Sequence, residues 1–81
     1  MAKVIVTRGA IKDLKKIGRS GQIKITRKIK VLATNTLAGK KLGGELKGLR
    51  TLRVWPYRVI YIVIKGEVWI THISHRQGAY K

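Results

Sequence analysis

The segment LRTLRVWPYRVIYIVIKGEVWITHIS, residues 49–74, has the clearest secondary-structure pattern in the chain. It is rich in β-branched and aromatic residues, which favour a pleated and partly buried backbone. Turn-forming residues interrupt the segment at Pro56 and at Lys65-Gly66. The pattern predicts an antiparallel meander of three strands, which run from Leu49 to Trp55, from Tyr57 to Ile64 and from Val68 to Ser74.

A strand and a helix are predicted at the start of the chain. The residues from Ala2 to Thr7 alternate in polarity and are rich in β-branched side chains, which is typical of a strand. Apolar residues then recur at helical spacing at Ile11, Leu14 and Ile17. We expect Gly18 to end this first helix.

A second helix and a loop are predicted before the meander. Ser20 is of a type that caps helices, and the apolar positions after it extend the helix to about Thr36. The stretch from Ala38 to Gly44 contains three glycines and breaks the helical periodicity, so it is interpreted as a mobile basic loop.

These elements fit a single domain that spans residues 1–81. A chain of 81 residues is too short for two hydrophobic cores. The order of one strand, a two-helix hairpin and a three-strand meander predicts an α+β fold. We expect the helices to pack on one face of a mainly antiparallel sheet.

The chain is strongly cationic. Nineteen lysines and arginines stand against three acidic residues, which gives a net charge of +16. Such self-repulsion destabilises a compact state, so a polyanionic partner is expected, and nucleic acid, an anionic membrane surface and an acidic protein all fit.

The lack of cysteine excludes disulfides and thiolate metal sites. The uncharged stretches are far shorter than a membrane span, and we expect a cytoplasmic protein.

Few side chains other than the cations are suited to catalysis. The three carboxylates, Asp13, Glu45 and Glu67, are spread along the chain, so a hydrolase with two paired carboxylates is not expected. His72 and His75 are three positions apart on a predicted strand, whose side chains alternate between faces, so they are not expected to bind a metal together. We predict no cofactor. The remaining cations and aromatic residues are suited to phosphate recognition.

Arg53 and Arg58 are the strongest candidates for a phosphate site. Arg53 lies between Leu52 and Val54, so it points to the open side of the sheet if those two residues face the helices. Arg58 from the next strand joins it there, and two guanidinium groups on adjacent strands can clamp a phosphate. The alternative is an ordinary solvated face. Tyr80 has three interpretations, since it can stack on a base, transfer a proton or pack on the sheet edge.

The predicted hairpin resembles the central hairpin of RelE/ParE toxins. The similar segments are LKGLRTLRV, residues 46–54, and YRVIY, residues 57–61. The ending His75-Arg76 with Ala79-Tyr80 is similar to the closing pattern of these toxins, and the resemblance covers nearly the whole chain. It implies a RelE-like fold. For catalytic members it implies metal-free cleavage of messenger RNA in the ribosomal A site, by attack of a ribose 2′-hydroxyl on the adjacent phosphate.

The resemblance also implies roles for individual residues. Arg53 and Arg58 would hold and polarise the scissile phosphate, and Arg76 would stabilise the charge that develops in the transition state. Tyr80 would transfer a proton or stack on a base. His75 would act as an acid or a base.

Two positions depart from the family's pattern. Thr51 stands where the better-studied nuclease members carry a second basic residue, so Arg50 or Lys47 is expected to supply that phosphate contact. Trp55-Pro56 replaces the usual Gly-Asp turn and adds a large ring near the proposed site. Trp55 is therefore a further candidate RNA-binding residue.

The resulting hypothesis is a toxin of a toxin-antitoxin system that cleaves messenger RNA on the ribosome and inhibits translation. One alternative is a ParE-like inhibitor of DNA gyrase, a branch that usually lacks the arginine and tyrosine set. Another is a non-catalytic nucleic-acid-binding protein, which would need only the charge. The resemblance further implies an acidic antitoxin partner with a mostly helical segment that covers the sheet.

Overall fold

The computed structural model describes residues 2–41 and 48–75. In chain order its elements are the strand β1 (Val4–Val6), the helices α1 (Arg8–Lys15) and α2 (Arg19–Thr34), and the strands β2 (Lys40–Lys41), β3 (Leu49–Val54), β4 (Tyr57–Ile64) and β5 (Glu67–His75). The predicted α+β class and the predicted order of elements are confirmed, and β2 is an additional strand.

The strands of the described residues form one sheet in the order β1-β5-β4-β3-β2. β1 runs parallel to β5, and the other neighbours are antiparallel. The ladder between β4 and β5 contains a bulge. Ile60 lies opposite His72 and Tyr61 lies opposite Ile70, so Thr71 is the extra residue on β5.

The helices cover one face of this sheet, as predicted. On β4 the side chains of Val59 and Tyr61 are fully buried, in one core cluster with Ile25 and Leu32 of α2. Successive residues of a strand point to opposite faces. The even-numbered positions of β4 therefore point to the face that the helices leave uncovered, which we call the open face.

The junction between the helices differs from its prediction. Gly18 does not end α1; it has extended backbone angles (φ −61°, ψ 160°) and is the N-cap of α2, so the prediction that Ser20 caps this helix is wrong. The side chain of Gln22 donates to carbonyl groups at the end of α1 and in the turn, at 3.1 and 2.9 Å, which ties the two helices together. α2 ends at Thr34, slightly before the predicted end. Among the described helices, none is long and apolar enough to cross a membrane.

Part of the predicted loop from Ala38 to Gly44 forms a strand. Lys40–Lys41 pairs antiparallel with β3. The local sequence has no strand pattern, and the pairing accompanies hydrogen bonds of the neighbouring Gly39 with the side chains of Tyr61 and Arg50. The prediction of a mobile loop is thus wrong for these residues, and its remaining part lies outside the described residues.

Asp13 protects an unpaired edge of β5. The short strand β1 pairs with Val68, Trp69 and Ile70, and no other strand of residues 2–41 and 48–75 lies beside the outer edge of β5 beyond them. The Oδ2 atom of Asp13 on α1 accepts a hydrogen bond from the backbone N–H of Ile73 at 3.0 Å. This bond satisfies a backbone donor and links α1 to the sheet.

We expect Asp13→Ala to lower the free energy of unfolding by about 1–2 kcal/mol, because the N–H of Ile73 loses its acceptor. Urea denaturation followed by circular dichroism measures the change. Asp13→Asn removes the same charge but keeps a side-chain oxygen, so it should lower the free energy of unfolding by less. An equal loss in both variants would mean that the charge of Asp13, rather than its hydrogen bond, stabilises the fold.

Candidate phosphate-binding site

Arg53 and Arg58 lie directly opposite each other on β3 and β4. Their neighbours Val54 and Val59 are buried on the helix side, so both arginines belong to the open face, as the sequence predicts. Opposed side chains in an antiparallel pair have Cβ atoms about 4.5–5.5 Å apart, and like charges at that separation are destabilising. An anion between the two guanidinium groups would relieve this repulsion.

The arginine pair lines a groove of about 340 Å³ on the open face. Three strands and the segment before β2 contribute to this sheet groove, which is formed by Ala38, Lys40, Thr51, Leu52, Arg53 and Arg58. Lys40 adds a third cation to it. The groove is therefore basic and lies on the uncovered side of the sheet.

A second basic groove, of about 450 Å³, lies between α2 and the turn that joins β3 to β4. The residues of this helix groove are Lys24, Arg27, Lys28, Val31, Arg53, Val54 and Trp55. Its three α2 cations are spaced for one helical face, and the side chain of Trp55 is 58% exposed. Arg53 lines both grooves, so a cationic surface extends from the open face around the edge of β3 to α2.

Buried and partly buried hydrogen bonds hold the start of β2 beside the sheet groove. The hydroxyl group of Tyr61 accepts from the N–H of Gly39 at 2.9 Å and donates to the carbonyl of Thr36 at 2.8 Å. The Nη1 atom of Arg50 donates to the carbonyl of Gly39 at 2.9 Å. Residue 39 has no room for a side chain, since an added Cβ would lie 2.8 Å from the carbonyl oxygen of Thr51. We call this set of contacts the Tyr61 clamp.

Few carboxylates are found among the residues that the structure describes. The acids within residues 2–41 and 48–75 are Asp13 and Glu67. Asp13 binds the backbone of β5, and Glu67 pairs with Ile64, at the opposite end of β4 from Arg58. The described residues also include no cluster of side chains suited to a metal ion. The two grooves thus favour an anionic ligand.

A family model described as "ParE toxin of type II toxin-antitoxin system, parDE" matches residues 4–80. The chain belongs to this toxin family. Solved structures of RelE, YoeB and YafQ toxins have a similar fold. Together with these structures, the family match confirms the predicted membership of the RelE/ParE superfamily. The protein is a toxin of a type II toxin-antitoxin system.

Solved structures of several toxins resemble this toxin over most of their length. The toxin in the RelBE2 toxin-antitoxin complex from Mycobacterium tuberculosis is 28% identical, with a TM-score of 0.87 over 93% of this chain and 98% of that chain. YafQ from Escherichia coli is 18% identical, with a TM-score of 0.80 over 100% of both chains. The archaeal RelE–RelB complex from Pyrococcus horikoshii gives 22% identity and a TM-score of 0.74, over 96% of this chain and 98% of that chain. A comparison with curated proteins found no match.

The structure does not bring every predicted site residue of the toxin to the arginine pair. His75 pairs with Tyr57, and their rings meet edge to face with centroids 5.5 Å apart. This pair belongs to the helix-covered face, so His75 lies on the opposite side of the sheet from Arg53 and Arg58. Arg50 also belongs to that face, where it takes part in the Tyr61 clamp.

Trp55 lies in the helix groove beside Arg53. The predicted site residues Lys47, Arg76 and Tyr80 lie outside the described residues, and their roles stay predictions of the resemblance. Sequence reasoning missed Lys40 and the α2 cations at Lys24, Arg27 and Lys28. The spacing of the α2 cations was a signal of a common helix face, but only the packing of α2 shows that this face meets Trp55.

Proposed function

We propose that this toxin is an endoribonuclease that cleaves messenger RNA in the ribosomal A site and so inhibits translation. The observation that carries the proposal is the direct opposition of Arg53 and Arg58 in a basic groove on the open face. Guanidinium groups bind phosphate oxygens in a bidentate way and stabilise the charge that develops during phosphoryl transfer. A surface that served only as a gyrase contact would not require this pairing.

The proposed reaction is a transesterification within the RNA. The 2′-hydroxyl oxygen forms a bond to the adjacent phosphorus, the bond from phosphorus to the 5′-oxygen breaks, and a 2′,3′-cyclic phosphate and a 5′-hydroxyl result. Arg53 and Arg58 hold the non-bridging oxygens. Following the resemblance, Arg76 stabilises the transition-state charge and Tyr80 transfers a proton. This chemistry uses only cations and proton-transfer groups of the chain itself, so we propose no cofactor.

The helix groove gives the RNA strand a path away from the sheet groove. Lys24, Arg27 and Lys28 provide cations for successive phosphates, and the exposed ring of Trp55 provides a surface on which a base can stack. Because Arg53 lines both grooves, a strand held at the arginine pair can continue into the helix groove.

We expect the double substitution Lys24→Glu and Lys28→Glu to weaken binding of a short single-stranded RNA by about tenfold or more, because cation-to-phosphate contacts are lost. The slope of log affinity against log salt concentration should become shallower by about 0.7 for each lost contact. Fluorescence anisotropy at several salt concentrations measures both. The matched control is Lys12→Glu with Lys15→Glu on α1, which changes the net charge equally outside the groove. Equal losses in the two double variants would show that net charge alone matters.

The direct test of the proposed function adds the purified toxin to a translation extract and maps the 5′ ends of a reporter messenger RNA. Cleavage at positions occupied by ribosomes is expected, with no cleavage of the same RNA in the absence of ribosomes. The second candidate, inhibition of DNA gyrase, is favoured by the match to the ParE model. Intact transcripts together with inhibition of gyrase supercoiling would replace the first candidate with the second.

We also propose that an acidic antitoxin covers the basic surface of this toxin. Support comes from the solved relatives, since the structures from Mycobacterium tuberculosis and Pyrococcus horikoshii are complexes of a toxin with its antitoxin. The two grooves carry cations without described carboxylates beside them. An acidic segment that occupies either groove would exclude RNA from it.

A further inference from the structure

The open face carries a lysine next to the arginine pair. Lys40 on β2 lies directly opposite Thr51 on β3, and Thr51 is two residues from Arg53 on the same face. Diagonal neighbours in an antiparallel pair are about 7–8 Å apart, which is within reach of a long side chain. Lys40, Arg53 and Arg58 all line the sheet groove. Three adjacent strands thus each contribute one cation to it.

We propose that Lys40 is a phosphate-binding residue of this toxin; the inference rests on the proposed ribonuclease function. Thr51, which lies between Lys40 and Arg53, is neutral and short, so the cation at this end of the groove comes from β2 and not from β3. Within residues 2–41 and 48–75, the ammonium group of Lys40 has no ion pair or hydrogen bond. It is therefore available to an oxygen of the RNA phosphate.

The Tyr61 clamp fixes the backbone from which Lys40 extends. The N–H and the carbonyl of Gly39, the preceding residue, are both bonded, to the hydroxyl of Tyr61 and to the guanidinium of Arg50 at 2.9 Å each. Lys40 itself pairs with β3. A cation on such an anchored backbone loses less conformational freedom on binding than one on a mobile loop.

Lys41 is a natural control for Lys40. The two lysines are adjacent on β2, carry the same charge and are both exposed. Lys41 lies opposite Arg50, which belongs to the helix-covered face. Lys41 is not among the residues that line the sheet groove. Substituting either residue removes one charge from the same strand. Only the substitution of Lys40 is expected to affect the binding and cleavage of RNA.

The test compares Lys40→Ala with Lys41→Ala in two assays. One assay measures the rate of messenger-RNA cleavage on ribosomes, and the other measures binding of a single-stranded RNA whose 2′-O-methyl groups prevent cleavage. Lys40→Ala should reduce cleavage and binding by about 10- to 100-fold, because a charged hydrogen bond is lost. Lys41→Ala should change either by less than about threefold, as expected for an exposed charge without a specific contact. Thr51→Lys in the Lys40→Ala background should restore cleavage, since it brings a cation into the same groove from β3.

The two assays separate this inference from the proposed function. Equal effects of the two substitutions, with normal cleavage by the unmodified toxin, would overturn the role of Lys40 and leave the ribonuclease function in place. A second outcome is that the toxin cuts no RNA, while Lys40→Ala, but not Lys41→Ala, weakens binding of the methylated RNA. This outcome would overturn the ribonuclease function and leave Lys40 as a phosphate-binding residue. Thermal denaturation of both variants shows whether either has lost its fold.

Discussion

Arg58→Ala is expected to lower the rate of messenger-RNA cleavage by about 10²- to 10³-fold, the usual effect of removing one group that stabilises transition-state charge. Arg58 lies in the middle of the sheet, between β3 and β5, and faces Arg53 across the β3–β4 ladder. The backbone of Arg58 is thus paired with a strand on either side. The rate at which the 5′ ends of a cleaved reporter appear in a translation extract measures the change.

Arg8→Ala provides the matched control, because Arg8 begins α1 and lines neither groove. It removes the same charge and should leave the cleavage rate nearly unchanged. Arg58→Lys should recover part of the activity, since lysine keeps the charge but not the bidentate geometry. Full activity of Arg58→Ala, with a folded protein, would exclude the arginine pair as the catalytic phosphate site.

Tyr61→Phe is expected to lower the free energy of unfolding by about 2–4 kcal/mol, because it leaves the N–H of Gly39 and the carbonyl of Thr36 without their partner. Tyr61 is fully buried, so water cannot easily replace the lost hydroxyl. A domain of this size is expected to have a free energy of unfolding of about 4–12 kcal/mol, so the loss would be a large fraction of it. Urea denaturation measures the difference.

Tyr57→Phe separates the hydrogen bonds of Tyr61 from the general effect of removing a phenolic hydroxyl. Tyr57 lies on the same face of the same strand, but among the described residues its hydroxyl makes no hydrogen bond. Its substitution should change the free energy of unfolding by less than about 0.5 kcal/mol. Similar losses in the two variants would argue against the clamp.

The sequence predicts the meander well because its signals are local. Turn residues at Pro56 and Lys65-Gly66 separate three runs of strand-forming side chains, and each run pairs with the next along the chain. The strand β2 has no such signal. Its two lysines join the sheet through contacts of Gly39 with Tyr61, a residue 22 positions later, which no local pattern can reveal.

The candidate site could likewise be predicted only where it depends on local sequence signals. Alternation along β3, together with a hairpin to β4, is enough to place Arg53 and Arg58 on one face. The approach of α2 to Trp55 and of Lys40 to Thr51 depends on tertiary packing between segments that are distant in sequence. For this reason sequence reasoning placed the two arginines on one face and missed Lys40 and the α2 cations.

The bulge at Thr71 determines on which face of the sheet the later positions of β5 lie. With this extra residue, Ile73 faces the core and Ser74 lies opposite Arg58. If the same residues of β5 ran without the bulge, all the strand positions that follow would change face, so an isoleucine would stand beside the arginine and a serine would enter the hydrophobic interior. Homologues that lack the bulge are therefore expected to be one residue shorter at this point of β5, which keeps the later positions on the same faces.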